Sequence, residues 1–190
     1  MRKIIALAAV ALAATSTPAL AQNVTGTLVI NGNVPSKCQV VSGTGVSQTF
    51  GTTVDLGDLS APDGTLRTGI SVTSADYADL LARVVCTTAN ADVTLTATPL
   101  AIAGAPAAPA GYTNVIDYTA GVQITEVGGG SGGFVLASDP NALTFPVGRL
   151  ANNGSGNVDL SATSFTTAAG SILEQGSYTG QVQVVIAPAP

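Results

Sequence analysis

The chain has 190 residues, of which six are basic, eleven acidic and none histidine, for a formal net charge of −5. So few cations cannot assemble a face for nucleic-acid phosphates, and without histidine neither a Ser/His/Asp triad nor a histidine-based metal site can be built. The length suits one domain with a real core, and solubility has to rest on Thr, Ser, Asn and Gln.

The N-terminus reads as a secretory signal peptide over residues 1–21. Met1, Arg2 and Lys3 supply charge, IIALAAVALAA an apolar run, and Ala19-Leu20-Ala21 a small-residue cleavage motif before Gln22. The run is too short to cross a bilayer, Ser16, Thr17 and Pro18 interrupt it, and no later segment is apolar enough to span. Export is therefore expected, with no membrane span. The mature chain would keep four basic residues (Lys37, Arg67, Arg83, Arg149) against the eleven acidic ones.

The mature chain opens with NVTGTLVINGNVPSKC. As a strand it places Val24, Gly26, Leu28 and Ile30 on one face and Asn23, Thr25 and Thr27 on the other. Residues 22–33 form an extension ahead of a β domain at 34–190. Cys38 and Cys86 are the only cysteines, and an even count in an exported chain predicts a disulfide with Cα atoms ~4.4 to 6.8 Å apart. Two distant sulfurs make a poor metal site, so no metal and no cofactor are expected.

Beyond the cysteine, short β-prone runs follow one another. Strands are predicted at Lys37–Val41, Val54–Leu56, Ile70–Thr73, Ala82–Cys86, Val93–Ala97, Val115–Tyr118, Val122–Val127, Phe134–Leu136, Val158–Leu160 and Ser177–Ile186, besides Leu28–Ile30. Turn signals punctuate them at Asp63-Gly64, Gly104–Gly111, Gly128–Gly133, Asp139-Pro140-Asn141 and Asn152–Asn157. In SADYADLLARVVC, Tyr77, Leu80, Leu81 and Val84 carry a helical stripe, which allows a turn or two of helix before a strand. In the last strand Tyr178, Gly180, Val182, Val184 and Ile186 share one face, and Thr179, Gln181 and Gln183 the other. The spacing predicts an all-β antiparallel sandwich.

With GTLVINGNVPSKC at one end, a second cysteine 48 residues on, and GSYTGQVQVVI at the other end, the chain resembles the pilin subunits of chaperone-usher fimbriae and the related spore-coat-U-like secreted proteins. The resemblance implies an immunoglobulin-like Greek-key sandwich that lacks its last strand. The N-terminal strand of a neighbouring subunit fills that place, a known mode of β-strand addition. Val24, Gly26, Leu28 and Ile30 would be the donated residues, and Tyr178, Gly180, Val182, Val184 and Ile186 the strand that receives them. The implied partners are other copies or related subunits, a periplasmic chaperone and an outer-membrane usher. The implied route runs through the periplasm to the cell surface or an extracellular fibre that supports adhesion.

Two alternatives stand beside this. Asn31-Gly32 is a strong hairpin signal, and a type I′ turn there would fold Leu28–Ile30 back onto the segment after Asn33 in the same chain. Pro35 restricts such a returning strand to an edge. A monomeric secreted sandwich that binds a surface glycan or matrix component is the other function; with no Trp and four Tyr, stacking platforms for sugars are few. Catalysis has little to draw on. Asp55, Asp58 and Asp63 form the nearest carboxylate cluster, and their spacing is not that of a calcium loop.

Overall fold

The computed structural model describes residues 27–43, 50–138, 142–152 and 154–189. The chain divides into two units, Met1–Asn33 and Val34–Pro190. In the first, Thr27–Asn33 belong to no strand, and Leu28, Val29 and Ile30 are exposed. Val24, Gly26 and the expected signal peptide lie outside the described residues.

The second unit is all-β. Its strands are β1 (Cys38–Val40), β2 (Leu81–Ala82), β3 (Val84–Cys86), β4 (Asn90–Ile102), β5 (Tyr112–Thr113), β6 (Val115–Thr125), β7 (Ser131–Ala137), β8 (Ala142–Val147), β9 (Val158–Thr166), β10 (Ile172–Leu173) and β11 (Tyr178–Ala189). Alternation in the sequence explains the long ones. In β4, Ala91, Val93, Leu95 and Ala97 point inward and are buried, while Asp92, Thr94, Thr96 and Thr98 face out. Ile116, Tyr118, Ala120, Val122 and Ile124 of β6, with Val158, Leu160 and Ala162 of β9, supply the facing layer.

Two antiparallel sheets result. One runs β11-β4-β8, the other β2-β9-β6-β7, and they meet where the end of β4 pairs with the start of β6 at Leu100↔Ile116 and Ala101↔Val115. β1 pairs antiparallel with β3. An immunoglobulin sandwich joins strands A-B-E-D in one sheet and C-F-G in the other. Here β1 and β3 stand as A and B, β2-β9-β6 as B-E-D, and β4-β11 as C-F. The place of G, beside β11, holds no strand among the described residues.

Cys38 and Cys86 are bridged, as the even cysteine count predicts. Their Cα atoms are 4.1 Å apart, slightly closer than the expected range. The two residues are direct partners on β1 and β3, and the hydrogen bond from Thr87 N–H to Lys37 C=O flanks them, so they form a non-hydrogen-bonded pair, the closest approach that antiparallel strands make.

Several predicted boundaries move. Val54–Leu56 is no strand, because the Asp55 carboxylate accepts from Gly57 N–H and turns the chain. Ile70–Thr73 keeps only the bridge Val72↔Ala162, since Asp76 and Tyr77 N–H groups donate back to Thr73 C=O. Leu28–Ile30 is not a strand, and Gly32 does not take the positive φ that a type I′ turn requires, so the Asn31-Gly32 hairpin is not formed. The helical stripe at Tyr77–Val84 yields one 3-10 turn, Ala78–Leu80, before β2. Val115–Tyr118 and Val122–Val127 merge into β6. Gly121, which separated them in the sequence, lies inside β6 opposite Ser161 of β9, where an added Cβ would require the Ser161 hydroxyl to turn away. β8 was not predicted.

Opening the disulfide removes a 48-residue cross-link from the unfolded chain. A Cys38→Ala/Cys86→Ala double variant should lose roughly 4 kcal/mol of stability on the chain-entropy model, read as a fall in the urea midpoint with a steeper slope, because the unlinked unfolded chain exposes more surface.

Candidate functional site

β11 is held from one side. Its regular ladder to β4 runs from Gln181↔Thr98 to Ala189↔Asn90, and it ends the strand order of its sheet. Gln181 N–H donates to Thr98 Oγ1, and Gln181 C=O accepts from the Tyr118 hydroxyl that also reaches Thr98 C=O, so Gln181 turns its backbone groups towards β4. Gln183, Val185 and Ala187 follow the same phase. The N–H and C=O groups of Val182, Val184 and Ile186 therefore point to the open edge.

The side chains follow the predicted alternation. Val182, Val184 and Ile186 pack against the core but stay half-buried, whereas Gln181, Gln183, Val185 and Ala187 are exposed. Gly180 marks a register shift: between Thr179↔Ala101 and Gln181↔Thr98, β4 carries one residue more than β11. A Cβ at Gly180 would meet Thr98 C=O, Pro99 C=O and Leu100 N at 3.0 Å, a backbone approach that only glycine allows. Tyr178 lies apart from the inner face. Its hydroxyl donates to the carbonyls of Glu174 (2.9 Å) and Thr113 (3.1 Å) and anchors the start of the strand.

Beside this edge lies a groove of about 480 Å³, walled by Val182 and Leu100 on one sheet, Leu160, Ala162 and Phe165 on the other, and Val54 with Leu56 from the connecting segment. Tyr118 stands at its base, 5% exposed. Two bulges shape it. The extra residue in β4 gives Leu100 a new direction, and a second shift, between Asp117↔Thr166 and Thr119↔Thr163, puts the extra residue in β9 at Ser164, which takes φ 54. Phe165, next in the chain, stacks on Tyr118 with ring centroids 5.3 Å apart. On the far side of the sandwich, Phe134 and Phe145 stack at 3.4 Å and close the gap between the sheets. On the β11 side the groove remains open.

Of the residues singled out in the sequence, Val182, Val184 and Ile186 share this edge, Gly180 stands at its end, and Leu28 and Ile30 lie exposed in the other unit. The sequence places Tyr118 at the end of a strand but does not bring it together with Leu100 and Phe165 in a groove; Pro99 inside a strand pattern is the one signal of the β4 bulge. Asp55, Asp58 and Asp63 each close their own turn rather than converge. The Ser60 N–H and hydroxyl lower the Asp58 pKa, and the Thr65 hydroxyl and N–H do the same for Asp63.

Burial pushes the Tyr118 hydroxyl up to about 12, against about 10 in an unfolded chain. Its folded-state pKa is raised, so its contribution to stability is full below pH ~10 and is lost as pH rises towards about 12. Tyr118→Phe should weaken that alkaline loss in pH-dependent unfolding, while costing about 1–3 kcal/mol at neutral pH by leaving Thr98 C=O and Gln181 C=O short of a donor. No family model, no curated protein and no solved structure matches the chain.

Proposed function

We propose that the protein is a structural subunit of a surface fibre, assembled by strand donation: Val24–Ile30 of one copy lies along the open edge of β11 in the next. The observation that carries this reading is the empty G position. β11 ends its sheet with the backbone groups of Val182, Val184 and Ile186 turned outward, and an apolar groove opens beside Val182. An edge of this kind is a template for pairing with another chain.

The occupant is argued from the same chain. Leu28 and Ile30 are 84% and 83% exposed, on an uncharged segment whose alternation suits a strand with one apolar face. Docking would bury each for ~1.5 to 3 kcal/mol. Every copy would be both donor and acceptor, the contact would be heterologous, and a contact that does not close on itself propagates as a fibre. The disulfide and the route of export proposed from the signal peptide are compatible, since disulfides persist outside the cytosol. A periplasmic chaperone and an outer-membrane usher, proposed from the family resemblance, would shield the edge until a donor arrives. A glycan-binding monomer is less well supported: Tyr112 is the one tyrosine among the described residues that is exposed.

The mature full-length protein should form oligomers that resist mild denaturant, and Leu28→Asp should abolish them and lower the melting temperature towards that of a domain without a donor, which still unfolds cooperatively. A wild-type chain that stays monomeric at high concentration would overturn the reading. So would Leu28→Asp oligomers as abundant as wild type.

A further inference from the structure

Pro188 lies opposite Ala91 on β11, at an even-numbered position, so its nitrogen points to the open edge. This is why proline is tolerated there: no bond to β4 is lost. It also ends the run of edge-facing N–H groups offered by Val182, Val184 and Ile186. At the other end the regular ladder stops at Gln181, where the β4 bulge lies against Gly180. Between these limits stands Gln181–Ala187, seven residues long, and Val24–Ile30 is also seven.

We propose that Gln181–Ala187 is an acceptor window of fixed length, closed by Pro188 at one end and by the Gly180 bulge at the other, which holds the incoming Val24–Ile30 of a second copy in one register. The inference rests on the strand-donation reading and adds what limits it. Strand pairing alone leaves register weakly specified, because a slip of two residues keeps every apolar side chain on its face. A slip towards the C-terminal end of β11 would set a donor carbonyl opposite a proline with no N–H. A slip the other way would carry the donor past Gln181 to Gly180, where β11 leaves its regular ladder to β4 at the bulge. The opposite edge of the sheet carries a similar block. Pro146 of β8 faces Asp92, and because Thr94 turns its backbone to β11, Asp92 does too, so the Pro146 nitrogen points away from β4. Proline thus interrupts one edge and bounds the other.

Residue-resolved amide exchange on wild-type, Leu28→Asp and Pro188→Ala mature chains tests this. In wild-type oligomers the amides of Val182, Val184 and Ile186 should exchange at least ~10-fold more slowly than in the Leu28→Asp monomer. Pro188→Ala oligomers should add protection at the new residue-188 amide and lengthen the protected stretch of the donor by about two residues. Pro188→Ala leaves the β4 ladder intact, so its melting temperature serves as the control for folding. Oligomers that form through Leu28 but leave those three amides as fast as in the monomer would overturn the window alone. A residue-188 amide that stays unprotected in Pro188→Ala oligomers would do the same. A monomeric wild type would overturn the window together with strand donation.

Discussion

The β4–β11 ladder is the interaction on which the rest depends. β4 is the central strand of its sheet: it pairs with β11 on one side and β8 on the other, and its inward residues Val93, Leu95 and Ala97 are wholly buried. Through this ladder β11 is fixed in place although no strand among the described residues pairs with its far edge. A strand so held is rigid on one side and unsatisfied on the other, and that asymmetry underlies the strand-donation proposal.

The Tyr118 hydroxyl reinforces the asymmetry. It sits between the carbonyls of Thr98 and Gln181, just where the β4 bulge would otherwise leave them without partners. Since Tyr118 belongs to β6, this contact joins the two sheets at the mouth of the groove, and the stacking of Phe165 on the same ring brings β9 into the junction. Bulges cost ladder bonds, yet here they turn Leu100 and Phe165 towards the groove. Its apolar wall therefore combines the alternation that presents Val182, Leu160 and Ala162 with the irregularity at Leu100 and Phe165.

Elsewhere the buried Asn157 side chain uses both its amide donors and its carbonyl oxygen, while Arg83 Nε and Asp159 Oδ1 are buried without a hydrogen-bond partner. Asn157, 2% exposed, donates to Val84 C=O and Ala151 C=O and accepts from Val84 N–H, so the strand that carries Cys86 is tied to the loop before β9. With the disulfide on one side and Asn157 on the other, β3 is pinned from both directions. The contrast with the open backbone of β11 is one of local chemistry: the Val84 N–H and C=O both find partners in the Asn157 side chain, whereas the N–H and C=O groups at Val182, Val184 and Ile186 face outward.

By itself the sequence determined the class of fold, the disulfide and the facing of the last strand, because each depends on short-range pattern: period-two alternation in VTLTAT and QVQVVI, and an even pair of cysteines. It misplaced Val54–Leu56 and Ile70–Thr73, where side-chain and backbone turns outcompete β propensity, and it overlooked β8, whose proline reads as a strand breaker until its edge position is known. Only the tertiary structure decided which strand edge stays open, where the bulges fall, and that Pro188 and Gly180 bound the same edge. Those are matters of which strands lie side by side and in what phase, and hydrogen-bond phase is a property of the pair that no single strand carries in its sequence.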